Sequence, residues 1–266
     1  AALGGGGQPD DVYAAKAHEA VRLPYLVSIR RAGSHDHVCS GILIGVAWVL
    51  TVAHCVNPLS PYAAGKKPLV LIGARSVSDT GMEVVVEQSF IHPRWTQDEQ
   101  RSAFNLALLK LPKVTKQPIP KMLVDHFSLN TGQMLSAGGW GASSTGPVLG
   151  GEIFSSQSLE PQEFVDSRRC NATMWKSEME DGLFCGLNAQ RSASCIVDSG
   201  SPMLLMDMPK YELHNGNPEL DFLVGLNVDG APCGTFGKPD VYVDLRDHQD
   251  WIAAHIHGGA QPRNEL

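Results

Sequence analysis

The sequence predicts an all-β protein, and three observations lead there. Short apolar runs bounded by turn residues dominate the body, at Val38 to Val52, Leu69 to Ile72, Met82 to Val86 and Leu106 to Leu111, a spacing that suits strands. With 266 residues and 43% apolar content the chain buries a full core and leaves no room for a second enzyme domain. The one helical interval comes at the end, where Trp251, Ile252 and Ile256 recur between His248 and His257.

Taken in order, residues 1 to 11 carry a glycine run with no core-forming side chains and read as a flexible lead-in. They lack the charged and apolar regions of a signal peptide, so the expectation is a mature terminus. Pro112, Pro118 and Pro120 mark a crossover between two halves. The net charge of −7 comes with no basic stripe, which argues against nucleic acid or an anionic membrane as partner. No apolar run approaches a membrane span. Histidines two apart, as at His255 and His257, do not share a helical face, and no metal or other cofactor is expected. Six cysteines leave fifteen possible pairings by spacing alone.

Thr51-Val-Ala-His54-Cys55 and Asp198-Ser199-Gly200-Ser201-Pro202 resemble the two signatures of the trypsin/chymotrypsin serine proteases. The resemblance runs from about Val12 to His257, and Gly138-Gly-Trp-Gly141 matches the turn that opens the family's second barrel. It implies a chymotrypsin-like double six-stranded antiparallel β-barrel with a C-terminal helix. The implied layout is a lead-in over 1–11, a protease domain over 12–258 and a flexible tail over 259–266. Within the domain the barrel halves fall at roughly 24–122 and 130–246, and the closing helix at about 247–257. The implied disulfides are Cys39–Cys55, Cys170–Cys185 and Cys195–Cys233, which suit an oxidising, extracellular setting.

A serine hydroxyl is a poor nucleophile at neutral pH and needs an imidazole to take its proton, with a carboxylate holding that imidazole in the right tautomer. The resemblance assigns His54 as base and Ser199 as nucleophile. The carboxylate position falls on Asn105, in Asn105-Leu-Ala-Leu-Leu-Lys-Leu111, and an amide carries no charge to stabilise the imidazolium. In a Ser-His-Asp triad this replacement costs about 10⁴ in turnover. The oxyanion positions are Val197 and Ser199. Val197 stands where the family has glycine, and a β-branched residue resists the dihedrals glycine permits. Losing one such donor costs roughly 10²–10³ in rate.

Activation in this family frees an ammonium group that pairs with the aspartate beside the serine, here Asp198. The corresponding segment is Val12-Tyr-Ala-Ala15, preceded by Asp11 rather than Arg or Lys, so cleavage there is not expected. His37 stands where several zymogens of the family hold that aspartate; it is either such a partner or an unengaged histidine. In the substrate pocket Ala193 lies at the floor, Val228, Asp229 and Gly230 replace Ser-Trp-Gly, and Asp240 stands where glycine keeps the pocket open. Asp240 either selects a basic side chain or fills the cavity. Asn171-Ala-Thr173 is an N-glycosylation sequon.

The expectation from these departures is a secreted glycoprotein that is no longer an enzyme: a zymogen-like pseudoprotease that works by binding a protein, peptide or glycan partner. One alternative is a weak or conditionally activated serine endopeptidase using Ser199 and His54. The other is a storage or structural protein.

Overall fold

The computed structural model describes residues 22–79, 81–97, 99–113, 115–124, 127–141, 156–170, 179–211 and 215–258. The lead-in, the Val12–Ala15 segment, the Asn171 sequon and the 259–266 tail lie outside the described residues.

The apolar runs become two seven-stranded sheets, nearly all antiparallel. The first contains β1 (Leu26–Arg30), β2 (His37–Gly45), β3 (Trp48–Thr51), β4 (Leu69–Ile72), β5 (Met82–Val85), β6 (Gln88–Ile91) and β7 (Ala107–Lys110), in the order β5-β4-β1-β2-β3-β7-β6. β5 pairs with β4 and β6 with β7, and only Val86 and Glu87 separate them. They are therefore two halves of one bent strand, which is how seven pieces make a six-membered barrel.

The second sheet contains β8 (Lys121–Met122), β9 (Met134–Gly139), β10 (Ser158–Asp166), β11 (Leu183–Asn188), β12 (Pro202–Leu205), β13 (Phe222–Asp229) and β14 (Asp240–Asp244). Its order is β12-β9-β10-β11-β14-β13-β8, closed by pairing of β12 with β13. The extra member is the two-residue β8, which lies parallel to β13. Lys121 and Met122 thus join the second sheet, although the sequence boundary puts them in the first half.

α1 (Ser167–Cys170) is one turn beside Cys185. α2 (Gln249–Ile256) follows a 3-10 turn over Leu245–His248, whose N-cap Asp244 accepts from Arg246 N–H. Ile252 is the buried residue of α2, as the 251/252/256 spacing expects. One large apolar core includes Ile29, Ile42, Leu50 and Leu108 from the first barrel and Leu226 and Val243 from the second. A smaller cluster gathers Phe164, Phe184, Met203, Tyr242 and Val197. All three disulfides pair as the resemblance implies. Among the described residues no helix is long and apolar enough to cross a membrane.

Candidate active site

The site assembles where the two barrels meet. His54 sits in a 3-10 turn (Ala53–Cys55) that follows β3, held from behind by the Cys39–Cys55 bridge to β2. Ser199 comes from the second barrel and is pinned by its backbone: its carbonyl accepts from Ser40 N–H at 2.8 Å, and Gly200 N–H donates to Asn227 O at 2.8 Å. Gly200 has φ +85°, and a Cβ there would fall 2.0 Å from the Ser40 carbonyl, so only glycine allows this approach. The result is His54 Nε2 at 2.8 Å from Ser199 Oγ.

Asn105 stands behind the base. Its Nδ2 donates to His54 Nδ1 at 2.8 Å and to the Gln100 carbonyl at 2.7 Å, while its Oδ1 accepts from His54 N–H at 3.1 Å. Burial lowers the pKa of His54 to about 4, only partly offset by Asn105 and by the Asp229 carboxylate. His54 is therefore neutral at physiological pH.

Val197 meets its position without strain. Among the described residues only His35, Arg191 and Lys210 combine a side chain with positive φ, so Val197 keeps an ordinary backbone. Its side chain joins the Phe184 and Tyr242 cluster. The Ile196 carbonyl turns inward to accept from Gly141 N–H at 2.9 Å, and the Ile196–Val197 peptide is trans, so Val197 N–H points the opposite way. Among the described residues neither Val197 N–H nor Ser199 N–H has an acceptor.

Asp198 is buried and fully engaged. His37 Nε2 lies 2.9 Å from its Oδ2, and the hydroxyls of Ser40 and Ser201 donate to its Oδ1 at 2.7 Å and 2.5 Å. Ser28 Oγ accepts from Arg30 Nε at 3.2 Å and lies 2.8 Å from His37 Nδ1. Ser28, Ser40 and Ser201 were not singled out from sequence, because nothing in their local context marks them; Ser201 even replaces a family glycine.

In the pocket, Ala193 is buried and bonds through its backbone to Thr235 O and Gly234 N. A register shift between Asn227 and Asp229 makes Val228 the extra residue of a β-bulge against β14. Its carbonyl accepts from Gln100 Nε2 at 3.1 Å, and Asp229 pairs with Arg101. Asp240 is 3% exposed. Its Oδ2 accepts from Gln162 Nε2 at 3.0 Å and from Ser194 N–H at 3.1 Å, while Oδ1 lies 2.9 Å from where a Cβ on Gly230 would stand. Burial raises its pKa to about 7. Gln162 also accepts from Tyr242 Oη at 2.9 Å.

The family model described as Trypsin matches residues 12–252. Rat granzyme M is 26% identical over 236 residues, covering 86% of this chain and 83% of its own. Human chymotrypsin-like elastase family member 1 is 27% identical over 231 residues, covering 84% and 83%. Among solved structures, mouse neuropsin, titled a serine protease, superposes with a TM-score of 0.67 at 21% identity, over 88% of this chain and 94% of its own. These findings correct one expectation. The reading of this chain as no enzyme is overturned by its protease relatives and by the intact contact between His54 and Ser199: the substitutions that prompted it leave base and nucleophile in place. With the match running nearly end to end, the chain belongs to the trypsin family.

Proposed function

We propose that the protein is a conditionally active serine endopeptidase in which Ser199 attacks a peptide carbonyl and His54 takes its proton. The observation that carries this is the 2.8 Å contact between His54 Nε2 and Ser199 Oγ. The N–H groups of Val197 and Ser199, which have no backbone acceptor among the described residues, are the donors this reading offers the oxyanion. In the resting arrangement the Asn105 amide donates to Nδ1, so the imidazole hydrogen sits on Nε2, the wrong nitrogen for a base. Attack requires the other tautomer, and the contact of His37 with Asp198 supports a zymogen-like resting state. The three disulfides support an extracellular setting.

A fluorophosphonate probe tests this. Labelling of Ser199, absent in Ser199→Ala, is expected to be slow. It should persist as pH falls below the ordinary histidine value and fail only near pH 4, because the base must be unprotonated and its folded pKa is held down to about 4. An acid limb near pH 6.5 would show that His54 is not so buried. No labelling at any pH overturns the endopeptidase reading and favours a binding role.

The substrate class follows from Asp240. One oxygen is tied down by two donors, and the other finds no donor among the described residues and faces Gly230. That supports selection of Lys or Arg before the scissile bond over simple cavity filling. Because the Asp240 pKa is raised to about 7, preference for lysyl over leucyl peptide esters is expected to grow as pH rises through neutrality. Asp240→Asn should cut that preference about tenfold, the worth of one charge-assisted hydrogen bond. An unchanged preference would leave Asp240 as filler.

A further inference from the structure

We propose that Gln162 and Glu160 are positioning residues for Asp240: with it they form an acid–amide–acid unit behind the specificity pocket, which aims one Asp240 oxygen at a cationic substrate side chain and governs its charge. The inference rests on the reading of Asp240 as the selector of Lys or Arg and deepens it.

Strand periodicity builds the unit. Glu160, Gln162 and Phe164 alternate along β10, so all three face one side of the strand. Phe164 joins the apolar cluster of the second barrel, and Gln162 beside it is 0% exposed. There both ends of the amide are engaged: Nε2 donates to Asp240 Oδ2 at 3.0 Å and to Glu160 Oε2 at 3.3 Å, while Oε1 accepts from Tyr242 Oη at 2.9 Å. Exchanging the ends would set an amide oxygen against two carboxylates, so the orientation is fixed. Gly186 makes the room, since a Cβ there would fall 2.0 Å from Gln162 Oε1. Asn188, opposite Gln162 on β11, donates to Glu160 Oε1 at 3.3 Å.

Two carboxylates thus share one amide nitrogen, and among the described residues neither has a cation within ion-pair reach. A buried carboxylate in that position keeps its proton or takes a cation from a ligand. The opening for one is the Asp240 oxygen that faces Gly230. The two partners pull Asp240 in opposite directions: the Gln162 hydrogen bond stabilises its charged form, and the Glu160 carboxylate disfavours it. The other ionisable groups acting here are Asp229 on β13, which also disfavours the charge and pairs with Arg101, and Tyr242 on β14, whose hydroxyl burial keeps protonated. β11 sets Gly186 against Asp240 and brings no charge there. Gln162 therefore holds the charged form with Oδ1 turned outward, and Glu160 keeps that form from persisting into acid.

The test uses the full chain carrying Ser199→Ala and two readouts that need no turnover. One is carbon NMR titration of the Asp240 carboxyl, with a midpoint of about 7 in the parent. The other is affinity for a tripeptide ending in lysine amide relative to one ending in norleucine amide, which lacks only the side-chain amino group. Glu160→Gln keeps an acceptor for Gln162 Nε2 and removes the charge. It is expected to lower the midpoint by about half a unit and to raise the lysine preference at pH 6 about threefold. Gln162→Met removes the donor and is expected to do the reverse, about threefold downward at pH 6. Opposite shifts are what a merely structural role would not give. Glu160 is only partly buried, so its variant decides the matter even if Gln162→Met does not fold. If the parent prefers lysine but the midpoint ignores Glu160→Gln, or moves the same way in both variants, the proposal falls and Asp240 stands as selector alone. No lysine preference at any pH would overturn the selector reading and this proposal with it.

Discussion

Asn105→Asp is expected to raise kcat/KM by about 10²–10⁴, approaching the factor by which an amide in place of the triad carboxylate slows turnover. The Asn105 amide cannot simply flip. Its Oδ1 faces the His54 N–H and its Nδ2 faces the Gln100 carbonyl; exchanging them would set donor against donor and acceptor against acceptor. Nδ2 is therefore committed to His54 Nδ1, which keeps the imidazole hydrogen on Nε2, aimed at Ser199. An aspartate accepts on both oxygens. It keeps the His54 N–H and accepts from Nδ1–H, which bares Nε2 for the serine proton. The charge also lifts the His54 pKa from about 4, making a stronger base, so the acid limb should move up with the rate. The gain stops short of the full factor because a carboxylate oxygen would then face the Gln100 carbonyl, 2.7 Å from Nδ2 in the present arrangement, and that loop must yield. Kinetics on a peptide thioester, with nitrogen NMR of His54 to read the tautomer, decides it. A tautomer switch with no gain in rate would show that Asn105 is not what limits the reaction.

The fold could be read from two pentapeptides because His54 and Ser199 sit in short, locally determined frames, a 3-10 turn ending in a bridged cysteine and a turn closed by Gly200. What could not be read depends on residues far apart in the chain. Gln100 and Arg101 gain their meaning only from Val228 and Asp229, 128 positions away. Val197, read from residue type alone, suggests a misplaced donor; that its backbone is ordinary and its side chain joins the Phe184 and Tyr242 cluster is a tertiary fact no local reading shows. The expectation of lost activity counted Asn105 and Val197 as separate failures. Position by position there was no way to see that the base–nucleophile contact survives both. His37 was legible as a candidate from its place two residues before Cys39, but the three serines that complete its network were not.

His37→Ala is expected to destabilise the protein by about 3 kcal/mol, the scale of leaving a buried carboxylate short of a partner. That corresponds to a fall in Tm of roughly 6–12 °C for a chain of this size. Asp198 and His37 are both almost wholly buried, and the Asp198 Oδ2 has His37 Nε2 as its side-chain donor at 2.9 Å, whereas Ser40 and Ser201 both serve Oδ1. Removing the imidazole therefore strips one oxygen and leaves the other served. It also takes away the ring that packs edge-on against Trp140 at 5.8 Å and one of the two partners of Ser28 Oγ, leaving Arg30, so some of the loss is packing. His37→Gln separates these contributions: an amide that reaches Asp198 should restore part of the stability without restoring the aromatic contact. The functional readout runs the other way. If the His37 contact holds the resting state, freeing Asp198 makes it available to a competing cation, and His37→Gln should label with fluorophosphonate faster than the parent once a short peptide with a free ammonium terminus is added. Unchanged Tm in His37→Ala would mean that water or the two serines satisfy Asp198 by themselves, and the zymogen-like reading of this contact would fail.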